Sequence, residues 1–214
     1  MKYDSVIFDL DGTLWNACGS VARGWNEALQ QLGIERTVTA QEIANVCGKP
    51  QDECVRAVLP EITQAIWAEA FPVINREEEN AVRTHGGELY PGVSEGLNLL
   101  GAKVPLFVVS NCTDWYLDGF LNQFAFHNTF QDTECYGRTG QQKGKNLKDL
   151  VNRNRLKNPV YVGDTVGDQT AAREAGTEFL FAAYGFGKII GVECYQSFED
   201  LLKRGLRHTN GFQM

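Results

Sequence analysis

Three short apolar runs in this chain end on residues able to do chemistry. "SVIF" runs into Asp9 and Asp11 within "FDLDGTL" (Phe8–Leu14), "VPLFVVS" ends at Ser110-Asn111, and "PVYVG" meets Asp164. Apolar, β-rich runs of this length read as buried strands. Between and after them lie segments with helical spacing: "SEGLNLLGA", "DWYLDGFLNQF", "KNLKDLVNRN" with Leu147, Leu150 and Val151 on one face, and "DQTAAREAG". "EFLFAAYG" adds a further strand and "SFEDLLKRG" a closing helix. Strands that alternate with helices imply an α/β chain with a parallel sheet and helices on both of its faces. The stretch after "DWYLDGFLNQF", rich in Gly, Gln and Thr, reads as a loop.

The alternation is interrupted once. Val21, Trp25, Leu29 and Leu32 recur at helical spacing and stop at Gly33, and Thr39 to Glu42 is a capping-box pattern opening a second helix. "QDECVRAVL" and "EITQAIWAEAF" follow, with Pro72 just past the second, and "NREEENAVRTH" completes the set. The organisation expected is one α/β domain, 1–15 and 88–214, carrying a helical insertion, 16–87. Ligands of open α/β sheets bind beyond the carboxyl ends of the strands. The insertion starts directly after the Asp pair, so it overhangs that edge.

A charge of −7 over 214 residues argues against non-specific nucleic-acid binding, though a local cation still admits an anionic substrate. The six cysteines form no C-x-x-C pair, which argues against structural zinc and reads as free thiols in a reducing compartment. "MKYDSVIFDL" does not have the layout of a signal peptide, and no run reaches the roughly 18 apolar residues of a membrane helix. A soluble, cytoplasmic protein that acts on a small molecule, without nucleic acid or membrane as partner, is expected. Oligomeric state is open.

Asp11-Gly12 alone is a turn dipeptide. A turn explains one aspartate, not two: at about 4 Å and an effective dielectric near 20, two carboxylates repel by about 4 kcal/mol. Such a pair needs a cation or a retained proton. A hydroxyl at a strand end, as at Ser110, followed by backbone N–H groups, holds phosphate oxygens, although Ser and Asn also favour caps. Lys143 and Lys145 flank Gly144, and either reaches back to a phosphate. Asp168, four residues after Asp164, caps the next helix or holds a metal-bound water. In a parallel sheet all these groups meet at one edge, where carboxylate oxygens suit Mg²⁺.

With those segments in place the chain resembles the haloacid dehalogenase superfamily of hydrolases. "DLDGTL", "VVSN", the loop lysine and "GDTVGD" are similar to its four motifs. The insertion resembles the cap that one subclass carries after the first motif, and the pattern is most similar to phosphoglycolate-phosphatase-like members. "YPGV" and "YGFG" are also similar to that group. The resemblance implies a Rossmann-like core plus an α-helical cap, and a Mg²⁺-dependent phosphatase working through an aspartyl phosphate. In that scheme Asp9 is the nucleophile and Asp11 the acid and base. Mg²⁺ is held by the Asp9 side chain, the Asp11 carbonyl and Asp164. Ser110 and Asn111 hold the phosphoryl oxygens, and Lys143, chosen over Lys145 because it comes earlier, balances charge.

Dehalogenases of the superfamily lack the second aspartate, so Asp11 favours a leaving alkoxide, which needs a proton, over a halide, which does not. Gly48 and Lys49, in "VCGKPQDE", resemble the specificity loop of such caps; a solvated inter-helix turn is the alternative. Trp15, Trp25 and Trp67 read as packing residues. Rival functions are a phosphomutase of the β-phosphoglucomutase type and a phosphonate hydrolase with Lys49 as Schiff base. Further removed are a non-catalytic binding module and an Asp-x-Asp glycosyltransferase, which would leave "GDTVGD" unexplained.

Overall fold

The computed structural model describes residues 2–206. β1 (Ser5–Phe8) leads through a tight turn to a two-residue strand, β2 (Trp15–Asn16). Helices α1 (Cys18–Gln31), α2 (Ala40–Ala44), α3 (Gln51–Val58) and α4 (Trp67–His85) follow, and then β3 (Glu88–Leu89). From there helices and strands alternate: α5 (Val93–Gly101), β4 (Leu106–Ser110), α6 (Asp114–Gln123), β5 (Asp132–Cys135), α7 (Tyr136–Thr139), α8 (Lys143–Arg153), β6 (Pro159–Gly163), α9 (Val166–Ala175) and β7 (Glu178–Ala182). β8 (Cys194–Tyr195) and α10 (Phe198–Asp200), which runs on into a π turn at Leu201–Gly205, complete the described chain. Residue 1 and residues 207–214 of the expected core lie outside the described residues.

Six strands form a parallel sheet in the order β5-β4-β1-β6-β7-β8. Every residue of β1, β4 and β6 is buried, as central strands covered on both faces require. Counting only the strands of this sheet, the order is 3-2-1-4-5-6. The direction of winding therefore reverses between β1 and β6, and the crevice of such a sheet opens there. The carboxyl ends of β1 and β6 carry Asp9 and Asp164 to that point.

Two expectations from the sequence are corrected. The loop after α6 contains β5, an edge strand whose "DTEC" lacks an apolar signal. Arg153 of α8 covers its acids, donating to Asp132 Oδ2 at 2.7 Å and Glu134 Oε2 at 2.5 Å. Pro72 does not separate two helices. It sits inside α4 near that helix's start, where its missing N–H forfeits a single bond, to the Ala68 carbonyl. The apolar face of the continuous helix (Ala70, Ile74, Ala81, Val82) is buried.

α1 and α4 touch closely because Gly24 has no side chain: a Cβ there would lie 2.4 Å from the Glu77 carbonyl oxygen. That contact brings Trp25 against Glu78. At the root of the helical segment, β2 and β3 pair antiparallel, Trp15 with Leu89 and Asn16 with Glu88. Both connections to the sheet therefore leave through one small ribbon. Among the described residues no helix is long and apolar enough to cross a membrane.

Candidate active site

Asp9 follows the last residue of β1 and is 1% exposed; its N–H is fixed by the Val162 carbonyl of β6 at 2.8 Å. Lys143, the first residue of α8 and 4% exposed, donates to Asp9 Oδ1 and to Asp168 Oδ1, both at 2.7 Å. Burial works against its charge, but Asp168 and Asp9 outweigh burial and hold the Lys143 ammonium above its usual pKa. Asp168 is saturated. Its Oδ2 accepts from Thr165 N (2.9 Å) and Thr165 Oγ1 (2.6 Å), closing a capping box on α9, and its Oδ1 also accepts from Tyr161 OH at 3.2 Å.

Asp164 is fully buried, and its Oδ2 accepts from the N–H of Phe186 at 2.7 Å and more weakly from that of Gly187 at 3.4 Å. The "YGFG" segment thus wraps this carboxylate. Gly12 presses on it from the other side. With φ +79° and an imagined Cβ only 2.2 Å from Asp164 Oδ2, no larger residue fits there. Oxygens of Asp9, Asp164 and Asp168 lie within 4.8 Å of one another. Burial, and next the charge of Asp168, push the pKa of Asp9 well up and that of Asp164 to about 7. Asp9 Oδ2 is buried with no hydrogen-bond partner. A cluster of hard oxygens this crowded, with one oxygen unpartnered and Asp168 already committed, fits a small divalent cation between Asp9 and Asp164.

The carboxylates that crowd Asp9 are thus Asp164 and Asp168, and the expected repulsion from Asp11 is not the dominant one. β1 ends at Phe8 and Gly12 turns the chain, so the two-residue periodicity of a strand no longer sets where Asp11 points. Its Oδ1 accepts from Tyr116 OH at 2.6 Å. Burial raises the Asp11 pKa to about 6, opposed chiefly by that bond.

Ser110 and Asn111 are buried at the end of β4. Ser110 Oγ accepts from Cys112 N at 3.3 Å, and Asn111 Nδ2 donates to the Gly48 carbonyl at 2.8 Å. A cavity of about 60 Å³, room for a few waters, lies between Asp9, Asp11, Ser110 and Asn111 on the sheet side and Trp25, Gly48 and Glu78 on the helical side. Lys49 reaches its rim with an exposed side chain. Lys145 lies apart at the surface, paired with Asp149. Trp15 and Trp67 pack against aromatic neighbours, whereas Trp25 also borders the cavity.

Two residues at the cavity were not singled out in the sequence. Tyr116, inside "DWYLDGF", carried no signal of its own. Glu78 did: it stands four residues after Ile74 and four before Val82, on the apolar stripe of α4. The three consecutive glutamates masked it as a solvated face.

A parallel sheet that gathers carboxylates and a buried lysine at its switch point defines an α/β enzyme. The chain belongs to the haloacid dehalogenase-like hydrolases, whose family model matches residues 6–182. A phosphoglycolate phosphatase of Photobacterium profundum is 28% identical over 196 residues, 85% of this chain and 83% of that protein. A 5'-nucleotidase of Pseudomonas aeruginosa is 25% identical over 196 residues, 87% of this chain and 86% of that one. The fold is shared with a solved structure from Haemophilus somnus 129PT, described as a predicted phosphoglycolate phosphatase. Its TM-score is 0.83 at 23% identity, over 95% of this chain and 98% of the other.

Proposed function

We propose that this chain is a Mg²⁺-dependent phosphomonoesterase in which Asp9 forms an aspartyl phosphate and residues 16–87 act as a cap over the site. The observation that carries the reading is the state of Asp9. One carboxylate oxygen is held by Lys143 at 2.7 Å, the other is buried without a partner, and the residue borders a cavity that also holds Ser110 and Asn111. A nucleophile needs that combination of fixed orientation and an unspent lone pair.

In the first half-reaction Asp9 attacks phosphorus, the ester P–O bond breaks, and Asp11 gives its proton to the leaving oxygen. Tyr116 fixes the Asp11 carboxyl, and the raised pKa keeps it protonated further up the pH scale than an ordinary aspartate. In the second, Asp11 takes a proton from water, whose oxygen attacks the same phosphorus and returns Asp9 as a carboxylate. Ser110 and Asn111 hold the phosphoryl oxygens, and Lys143 keeps Asp9 oriented while the charge on it changes. The Asp9 and Asp164 side chains and the Asp11 carbonyl would hold Mg²⁺, which would supply charge neutralisation and orientation of the phosphate. The exposure of Lys49 favours phosphate over phosphonate hydrolysis, since an imine-forming lysine needs a desolvated setting.

The test is phosphate release from p-nitrophenyl phosphate with Mg²⁺ and with a chelator, for the wild type and Asp9→Asn. Release that needs Mg²⁺ and is lost in the variant is expected. Equal rates for the two proteins would remove Asp9 as nucleophile, and equal rates with and without the metal would remove Mg²⁺.

A further inference from the structure

Glu78 is 6% exposed, yet it lies on the same cavity as Asp9 and Asp11. It comes from α4, across the cavity from the strand ends that present Asp9, Ser110 and Asn111. Trp25 Nε1 donates to its Oε2 at 2.6 Å and Gln51 Nε2 donates to the same oxygen at 2.7 Å. Among the described residues none donates to Oε1 and no lysine or arginine pairs with the carboxylate. A buried carboxylate without a cation is costly and is retained where it has a task. Its fixed oxygen, held by two donors on other helices, orients the open one.

We propose that Glu78 selects the leaving group: it accepts a hydrogen bond from a hydroxyl on the alcohol being released and rejects an alcohol that carries a carboxylate. The inference rests on the phosphatase reading of the same cavity and names its substrate class, a small phosphomonoester with a neutral, hydroxyl-bearing organic part. With the phosphate at Asp9, Ser110 and Asn111, the rest of the substrate extends toward α1 and α4. There it meets Val21 and Trp25, which suit a short carbon skeleton, and Glu78, which suits a donor. A second carboxylate in this enclosed space would face Glu78 with little water between them, and like charges at low dielectric repel strongly. Lys49 does not cancel this, because it is exposed and solvent screens it. The relatives named phosphoglycolate phosphatase carry, in that name, a substrate with such a carboxylate, so this chain would differ from them in what it releases.

The experiment compares kcat/KM for glycerol 1-phosphate and 2-phosphoglycolate, at about pH 9 with Mg²⁺, in the wild type and Glu78→Gln. Glutamine keeps an acceptor for Trp25 and Gln51 but removes the charge. The wild type should favour glycerol 1-phosphate at least tenfold, and Glu78→Gln should shrink that ratio at least tenfold. A wild type that favours 2-phosphoglycolate, or a ratio unchanged in the variant, overturns the inference. If the variant does not fold, the wild-type ratio decides alone. Turnover of p-nitrophenyl phosphate separates the two levels. Where it proceeds without the expected ratio, only the role of Glu78 falls; where none of the three esters is hydrolysed, the phosphatase reading falls and this inference with it.

Discussion

Asn111 at the end of β4 donates its side-chain N–H to the carbonyl of Gly48 at 2.8 Å, across the cavity mouth from sheet to helical segment. The other end of the same amide, Oδ1, is buried without a partner. The amide nitrogen carries a second N–H that can donate to a phosphoryl oxygen, so one side chain serves both the loop that follows α2 and the proposed phosphate position. Asn111→Ala should lower kcat/KM for p-nitrophenyl phosphate about ten- to a hundredfold, the usual cost of one hydrogen bond to a charged group. Asn111→Asp should lower it further, since it sets a carboxylate against both the Gly48 carbonyl and the phosphate. Steady-state kinetics of both variants check this. Equal losses would mean that Asn111 only latches the loop.

Lys143 and Lys145 are two residues apart and should differ sharply. Lys143→Met leaves Asp9 and Asp168 buried without their shared cation, and breaking a buried pair costs about 3–5 kcal/mol. Lys145→Met removes an exposed pair on one helix face, worth no more than about 0.5 kcal/mol. Urea unfolding of both variants measures the difference. Comparable midpoints would contradict the buried arrangement.

Asp11 is assigned to protonating an alkoxide. p-Nitrophenolate is stable enough to leave without a proton, whereas an alkyl oxygen is not. Asp11→Asn should therefore lose about 100-fold more kcat on glycerol 1-phosphate than on p-nitrophenyl phosphate. Uniform loss on both would point to a role in positioning.

Burial raises the Glu78 pKa to about 7 from an ordinary 4.5, opposed by the bonds from Gln51 and Trp25. Below about pH 4.5 both folded and unfolded states are protonated, and the residue adds no pH dependence. Between 4.5 and 7 the unfolded state ionises first, so stability falls as pH rises. Above 7 both states are ionised and the loss is complete, on the order of 3 kcal/mol. The stability difference between the wild type and Glu78→Gln, followed by urea unfolding from pH 4.5 to 8, should change by that order in favour of the variant. A flat difference would show that Glu78 is not desolvated.

The core was legible because its central strands are buried on both faces. "SVIF", "LFVVS" and "PVYVG" contain nothing that competes with that reading, and each ends on, or one residue before, the residue that the sheet delivers to the site. β5 was illegible for the converse reason: as an edge strand it is completed by Arg153, a residue of α8, and no local pattern announces a partner so far away. Pro72 misled because a proline reads as a stop until the helix start is known. The lysine could be chosen from order along the chain, but its placement between Asp9 and Asp168 is a tertiary fact. Asp11 was paired with the wrong neighbour for the same reason, since the turn at Gly12 decides where its side chain goes.

The β2–β3 ribbon brings the two ends of the helical segment side by side. Asp9, Asp11, Ser110, Lys143 and Asp164 all lie outside those ends. A segment of another length or shape could be grafted between Asn16 and Glu88 without shifting a strand of the sheet. In such a chimera the bond being broken would be inherited from one parent and the molecule that carries it from the other.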